Sequence, residues 1–231
     1  MAKKKWCATL KKTVAQRNRV LIEFIQDRSG SMDKSWQETL SGFKVFVDDL
    51  AKQKGADHFL SLTTFDTLVD RPLSCVPIKD VKPAILAEYG PRGGTALYDA
   101  VGDVLTGIDS RAAEFDKIIV VIVTDGQENS SRIFEKDAVN TLVDARLQKG
   151  NYTFTYLGTQ PETWDDASKI GFAAGQTVVW DQGHTGSTYR VMAQSLGNFT
   201  RSAEARTDSL FSTYANASDL EDANMKVKSG Q

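Results

Sequence analysis

Cysteine and histidine are scarce in this chain, with two of each among 231 residues. Cys7 and Cys75 can form at most one disulfide, and they lack the close spacing of a cysteine-ligated metal site. A disulfide framework and a thiolate metal centre are therefore excluded. The low cysteine content favours a reducing, cytoplasmic setting.

Long apolar runs and a strong charge bias are also missing. No stretch reaches the ~18 consecutive apolar residues of a membrane span. The opening MAKKKWCATLKK has no apolar stretch behind its charged head, so no secretory signal is predicted. The 28 basic and 30 acidic side chains give a formal net charge of −2, which offers nucleic acid no general attraction. We therefore predict a cytoplasmic protein with no membrane insertion and no nucleic-acid partner, and we make no prediction of its oligomeric state.

What the chain does contain is an alternation of strand-like apolar runs and helical patterns. The strands are expected at 19–27, 59–65, 67–78, 117–125, 152–158 and 177–181, with helical stretches between them. Pro72 and Pro77 place the third of these at an edge of the sheet. This order predicts an α/β fold, namely a three-layer α/β/α, doubly wound, Rossmann-like and mostly parallel sheet of about six strands with one antiparallel edge strand.

The alternation divides the chain into three parts. Residues 18–204 carry the pattern and are predicted to be one domain. Residues 1–17 precede it as an N-terminal extension. Residues 205–231 are polar and have no clear hydrophobic period, so they are predicted to be a flexible C-terminal tail with at most one short helix.

Five oxygen-bearing side chains lie at the end of a predicted strand, in the turn just after it, or just before a predicted helix: Asp27, Ser29, Ser31, Thr95 and Asp125. Ligands of open α/β sheets bind beyond the carboxyl ends of strands, where the strand order reverses, so these side chains are expected to converge. All five are carboxylates or hydroxyls, which is the donor set of a hard cation. Mg²⁺ is the leading candidate because it is bound by few carboxylates and keeps several waters, with Mn²⁺ or Ca²⁺ as alternatives.

Each of these segments alone would pass as an ordinary turn, because aspartate and serine are common after strands. The combination of three such segments, each at the boundary of an element, is what favours a metal site. Glu128 and Asn129 follow the last of them and are candidates for contacts with a partner, with a solvated surface loop as the alternative.

This combination resembles the metal-ion-dependent adhesion site of the von Willebrand factor type A family, also called the integrin I-like fold. The family pattern is D-x-S-x-S, then a distant threonine, then a distant aspartate. All five positions match here, within DRSGS (27–31), GGTALYD (93–99) and VTDG (123–126), and the resemblance spans roughly residues 18–200.

The resemblance implies a role for each residue. Ser29 and Ser31 would ligate the cation through their hydroxyls, and Thr95 would do so directly in a ligand-engaged state. Asp27 and Asp125 would act directly or through bound water. A Glu or Asp carboxylate of a protein partner would fill the open coordination position.

Segments such as RSGSM, GGTALYDAV and VTDGQENSS look similar to the intracellular bacterial or phage branch of that family. Members of this branch work inside multiprotein assemblies. The resemblance therefore implies an adaptor or scaffold that is not an enzyme.

Three other functions are weighed against this one. A Mg²⁺-dependent phosphatase or hydrolase could use Asp27 as a nucleophile, but hydroxyls stand at the second and fourth positions after it, where such enzymes need another carboxylate. Nucleotide binding at GPRGGTAL lacks the Lys-[ST] of a phosphate-binding loop. A purely structural domain with an unused metal site is the third alternative. His58 and His184 are expected to be structural or solvated.

Overall fold

The computed structural model of the chain describes residues 18–108, 110–159 and 163–228. The predicted N-terminal extension, residues 1–17, lies outside the described residues.

Seven strands form one mixed sheet. They are β1 (Asn18–Asp27), β2 (Ala56–Phe65), β3 (Val69–Pro77), β4 (Lys117–Thr124), β5 (Tyr152–Gly158), β6 (Thr177–Val179) and β7 (Lys226–Val227). Their order across the sheet is β3-β2-β1-β4-β5-β6-β7. The five inner strands are parallel, and β3 and β7 pair antiparallel at the two edges. The predicted α/β fold with a mostly parallel sheet is thus confirmed, and the sheet has one more strand and one more antiparallel edge than predicted.

Helices cover both faces of this sheet. They are α1 (Trp36–Lys52), α2 (Leu97–Ile108), α3 (Lys136–Leu147), α4 (Thr163–Lys169), α5 (Thr185–Arg201), α6 (Leu210–Tyr214) and α7 (Ala217–Asp222). Within the described ranges, none of the helices has the length and apolarity needed to cross a membrane.

Strand β1 shows how the two layers are held. Successive side chains of a strand point to opposite faces, and in β1 both sets are buried. Phe24 packs on one face with Phe43 and Phe46 of α1, with ring centroids 5.4 and 5.1 Å away. Leu21 and Ile25 pack on the other face in the core that contains α2 and α3. A strand buried on both sides is characteristic of a doubly wound parallel sheet.

The strand order reverses at β1. The chain passes from β1 to β2 and β3 on one side, and then returns to β4 on the other side of β1. Asp27 lies level with Phe65 at the end of β2, and Gln26 lies level with Val123 near the end of β4. The carboxyl ends of β1 and β4 therefore meet at one edge of the sheet, which we call the carboxyl edge.

Residues 205–228 are folded, which differs from the predicted flexible tail. Leu210 and Phe211 are buried in the core shared by α1 and α5. Val227 of β7 pairs with Val178 of β6. The segment changes from one short element to the next within a few residues, so its few apolar side chains have no sustained period to be recognised in the sequence.

Candidate metal centre

The loop that follows β1 brings its two serines towards Asp27. Asp27 is fully buried, and its Oδ1 accepts a 2.6 Å hydrogen bond from the backbone N–H of Ser29. The Oγ atoms of Ser29 and Ser31 lie 3.0 Å apart. The D-x-S-x-S loop therefore folds back so that both hydroxyls lie at the same end of β1.

The end of β4 joins this group directly. Ser31 Oγ donates to Asp125 Oδ1 at 2.6 Å, and Thr124 Oγ1 donates to Asp27 Oδ2 at 2.5 Å. Both carboxylates and both serine hydroxyls thus lie in one crevice, at the point where the strand order reverses.

Thr95 reaches the same crevice from the loop before α2. A Cβ placed on Gly126 would lie 2.9 Å from Thr95 Oγ1, 3.5 Å from Ser31 Oγ and 3.8 Å from Asp27 Oδ2. These three oxygens therefore surround one small volume, which the missing side chain of Gly126 leaves open. The structure brings together all five residues that the sequence singled out.

The electrostatics of the crevice favour a cation. Burial raises the pKa of Asp27 to about 6, against the hydrogen bonds from Thr124 and Ser29 that stabilise its charged form. Burial also raises the pKa of Asp125. Two carboxylates held in a poorly solvated crevice are costly unless a positive charge compensates them.

The donors also suit a hard cation. Among the residues that the structure describes, there is no group of three or more His, Cys, Asp or Glu side chains that could hold a metal ion. The candidate donors are therefore two carboxylates and three hydroxyls, and oxygen donors of this kind fit Mg²⁺ or Mn²⁺.

Comparison with known proteins identifies the fold. No family profile matches the sequence, and no curated protein matches it. Among solved structures, a von Willebrand factor type A protein from Catenulispora acidiphila superposes with a TM-score of 0.60 at 16% identity, over 79% of this chain and 43% of that protein. The fold is that of a von Willebrand factor type A domain.

Two further structures with this fold carry metal ions. Manganese-loaded TRAP protein of Plasmodium vivax has a TM-score of 0.53 at 14% identity, over 75% of this chain and 74% of that one. The proximal thread matrix protein 1 of the mussel byssus, with a zinc-occupied metal-ion-dependent adhesion site, has a TM-score of 0.51 at 18% identity, over 70% and 41%. The chain thus spans less than half the length of the Catenulispora and mussel proteins.

Glu128 and Asn129, which the sequence offered as partner contacts, hydrogen-bond neighbouring loops of this domain. Asn129 Oδ1 accepts from the backbone N–H of Thr95 at 2.9 Å. Glu128 accepts from the N–H of Tyr98 at 3.0 Å, at the first turn of α2, and from the N–H groups of Ser130 and Ser131. The first N–H groups of a helix have no partner within the helix, so Glu128 satisfies one of them from a different loop.

An ion-pair cluster fixes the other side of the Thr95 loop. The buried Asp66, just beyond β2, lies 3.1 Å from the guanidinium of Arg28 and 2.6 Å from Nε of Arg92. Burial alone would raise the pKa of Asp66, but the hydrogen bonds from Arg92 and Leu68 N–H and the charges of both arginines lower it. The cluster joins the loop after β1 to the loop that carries Thr95.

Two contacts of the site were not predicted from the sequence. Thr124 orients Asp27, and Gln182 donates from Nε2 to Asp125 Oδ2 at 3.2 Å. Gln182 follows β6, whose carboxyl end reaches the same edge of the sheet. Gln182 could have been predicted from its place after a parallel strand, because the carboxyl ends of parallel strands lie at the same edge of the sheet.

Proposed function

We propose that this type A domain binds one divalent cation in the crevice at the carboxyl edge and uses it to bind a protein partner. The observation that carries the proposal is the convergence of Asp27, Ser31 and Thr95 on one open volume beside Asp125. Ser29 belongs to the same group through its contact with Ser31.

Mg²⁺ is the proposed cation. Asp27 and Asp125 supply only two carboxylates, and Mg²⁺ is bound by few carboxylates and several waters, whereas a dedicated Ca²⁺ site needs more oxygen ligands from the protein. Mn²⁺ has similar ligand preferences and is the first alternative. Ca²⁺ is the second.

The proposed ligand of the cation is a Glu or Asp side chain of the partner. When bound, the cation supplies a positive centre at which a carboxylate can be held. The charges of Asp27 and Asp125 balance a dication, so the site would not repel an anionic group. Both carboxylate oxygens of Asp27 already accept hydrogen bonds from the protein. The chain therefore fixes the carboxylate that would hold the cation.

We propose binding rather than catalysis. A hydrolase needs a general base within reach of the reacting group. His58 of β2 lies level with Val20 near the start of β1, at the edge of the sheet opposite the carboxyl edge. His184 contacts the Asp181 carboxylate at 3.2 Å and is half exposed. The position two residues after Asp27, where a phosphatase would have a carboxylate, is Ser29. A Mg²⁺-dependent hydrolase is the competing proposal.

We further propose that the protein works inside the cell, as an adaptor or scaffold of the bacterial or phage type. The support is the sequence resemblance together with the low cysteine content.

Titration calorimetry of the EDTA-stripped protein with Mg²⁺ and Mn²⁺ tests the metal site. One saturable site is expected, lost in Asp27→Ala and weakened in Thr95→Ala and Asp125→Ala. Asp48→Ala, at a half-exposed aspartate on α1 that pairs with Lys44, is the matched control and should bind as the wild type does. Metal binding that survives all three site substitutions would refute the assignment.

The protein-binding role is tested by affinity capture from a bacterial lysate, with Mg²⁺ and with EDTA. A partner retained only with Mg²⁺, and not retained by Asp27→Ala, supports the proposal. Mg²⁺-dependent hydrolysis of p-nitrophenyl phosphate that is abolished in Asp27→Ala would favour the hydrolase instead.

A further inference from the structure

Gln182 contacts the candidate metal centre from outside the set of five donor residues. Its Nε2 donates to Asp125 Oδ2 at 3.2 Å, while Asp125 Oδ1 accepts from Ser31 Oγ at 2.6 Å. The Asp125 carboxylate therefore lies between the donor oxygens and the amide of Gln182. A side chain in this position can reach a group that approaches a bound cation from outside.

The backbone on both sides of Gln182 is held in place. Before it, the N–H of Trp180 donates to the last carbonyl of β5 at 2.9 Å, and the indole ring is buried in the core. After it, Thr185 Oγ1 donates to the carbonyl of Gln182 at 2.6 Å. The Asp181 carboxylate accepts from Gly183 N–H at 2.9 Å and closes the turn. The fold thus sets the position of Gln182, and only its side chain is left to adjust to a ligand.

The side chain of Gln182 borders an open groove beside the metal centre. The groove has a volume of about 430 Å³, and Ser31 and Asp125 line it together with Gln182. Asn224 and Lys226 of the C-terminal segment form another part of its wall. A ligand that reaches a cation beside Ser31 and Asp125 through this groove therefore passes the amide of Gln182.

The amide of Gln182 has an unused hydrogen-bond donor. A glutamine NH₂ group carries two N–H donors, and among the described residues that of Gln182 has one acceptor, the Asp125 carboxylate. A carboxylate only accepts hydrogen bonds, so this contact turns the NH₂ end of the amide towards the centre. The second N–H remains for an incoming acceptor.

A carboxylate that binds the cation needs such a donor. Asp27 and Asp125 already balance the charge of a dication, so a third carboxylate brings excess negative charge next to Asp125. The groove compensates little of it, because it carries the carboxylate of Asp181 as well as the ammonium of Lys226. Hydrogen bonds from N–H groups to carboxylates are strong and would offset part of this repulsion.

We propose that Gln182 recognises the carboxylate of the partner. One N–H of its amide stays on Asp125, and the other donates to the carboxylate oxygen that does not bind the cation. This inference rests on the proposed function, because the cation brings the carboxylate to the site. It makes Gln182, a residue outside the metal ligands, a determinant of affinity for the acidic side chain.

Acetate is the probe for this role, and bound Mn²⁺ is the reporter. Protein-bound Mn²⁺ that carries water speeds the relaxation of water protons, and acetate that displaces a bound water slows it. The titration uses protein in excess over Mn²⁺, with sodium chloride at equal ionic strength as the reference. The wild type should show a saturable decrease in the relaxation rate. Acetate affinity should fall about tenfold in Gln182→Ala, the effect of losing one hydrogen bond to a charged group.

Asn224→Gly is the matched control. It removes another side-chain amide from the same groove, one that donates to Asp181 rather than to Asp125, and glycine suits the φ of 48° at this position. Its acetate affinity should equal that of the wild type. Gln182→Glu keeps the length of the side chain but replaces the N–H groups by a carboxylate. It should weaken acetate binding more than Gln182→Ala does without lowering Mn²⁺ affinity, and retained Mn²⁺ binding shows that the variant is folded.

Three results would contradict the role of Gln182. Equal acetate affinity in Gln182→Ala and the wild type would overturn it and leave the metal-dependent function standing. An equal loss in Asn224→Gly would do the same, because the effect would then belong to the groove as a whole. The absence of a saturable acetate effect on the Mn²⁺-bound wild type would overturn both this inference and the proposed binding of a carboxylate.

Discussion

Thr124 donates a 2.5 Å hydrogen bond from its hydroxyl to Asp27 Oδ2, so the last residue of β4 fixes the carboxylate at the end of β1. The other oxygen of that carboxylate accepts from Ser29 N–H at 2.6 Å. The orientation of Asp27 is therefore set by the protein before a cation binds. Groups that orient metal ligands in this way typically contribute about 10–100-fold to metal affinity.

Thr124→Val is expected to weaken Mg²⁺ binding by about 10–100-fold, because valine keeps the shape of threonine but cannot donate to Asp27. Thr124→Ser retains the hydroxyl and should lose much less. Titration calorimetry of both variants measures the difference. Equal Mg²⁺ affinity in Thr124→Val and the wild type would show that this hydrogen bond does not support the site.

Gly126→Ala is expected to block the metal centre without unfolding the domain. The added methyl group would lie 2.9 Å from Thr95 Oγ1, inside the volume that the donor oxygens surround. We expect Mg²⁺ binding to weaken at least tenfold, measured by calorimetry.

Gly186→Ala on α5 is the control for this substitution, since its Cβ would meet nothing within 4 Å. It should leave Mg²⁺ affinity unchanged. Wild-type affinity in Gly126→Ala would place the cation elsewhere in the crevice.

Glu23 makes the stability of the domain depend on pH. It is buried in the middle of β1, and burial raises its pKa to about 7 despite the nearby Ser61 hydroxyl and the charges of Arg71 and Arg111. Between the ordinary glutamate value of 4.5 and about 7, the folded state binds more protons than the unfolded state. The free energy of unfolding must therefore fall as the pH rises through this window.

Glu23→Gln removes this dependence and should stabilise the protein at pH 8 by an amount on the order of 3 kcal/mol. The two proteins should be nearly equal in stability at pH 4.5. Urea unfolding in EDTA at both pH values measures the difference in the free energy of unfolding. The titration of Asp27 contributes equally to both proteins, so it does not affect this difference. A stability difference that is the same at both pH values would contradict the assignment.

The sequence predicted the parts of the molecule that have a strong physical signal. KIIVVIVT contains a continuous apolar run, and the apolar run of the first strand is interrupted only by Glu23, so the central parallel strands were recognised. The five site residues were predicted because their side chains are oxygen donors at strand ends or, for Thr95, in the loop before a helix. Their convergence needed the strand order, which places the ends of β1 and β4 side by side.

Other features depend on contacts that no local pattern encodes. β7 is two residues long, and it is a strand only because β6 offers a free edge. Gln182 and Lys226 join the carboxyl edge through chain reversals after β6 and α7, and their neighbours in sequence give no periodicity that predicts this. The same holds for the contact of Glu128 with the N–H of Tyr98, which lies 30 residues earlier at the first turn of α2.

Phe211 provides a test of whether the C-terminal segment belongs to the folded domain. Its side chain is fully buried in the core shared by α1 and α5, so Phe211→Ala should lower the free energy of unfolding by about 3–5 kcal/mol. Ile133 is 80% exposed, and Ile133→Ala should change the free energy of unfolding by less than about 0.5 kcal/mol. Urea unfolding followed by circular dichroism measures both. Loss of stability in Phe211→Ala with a single cooperative transition would show that the segment unfolds together with the sheet. A small effect like that of Ile133→Ala would mean that the segment detaches freely, and it would then be unable to hold Lys226 beside the metal centre.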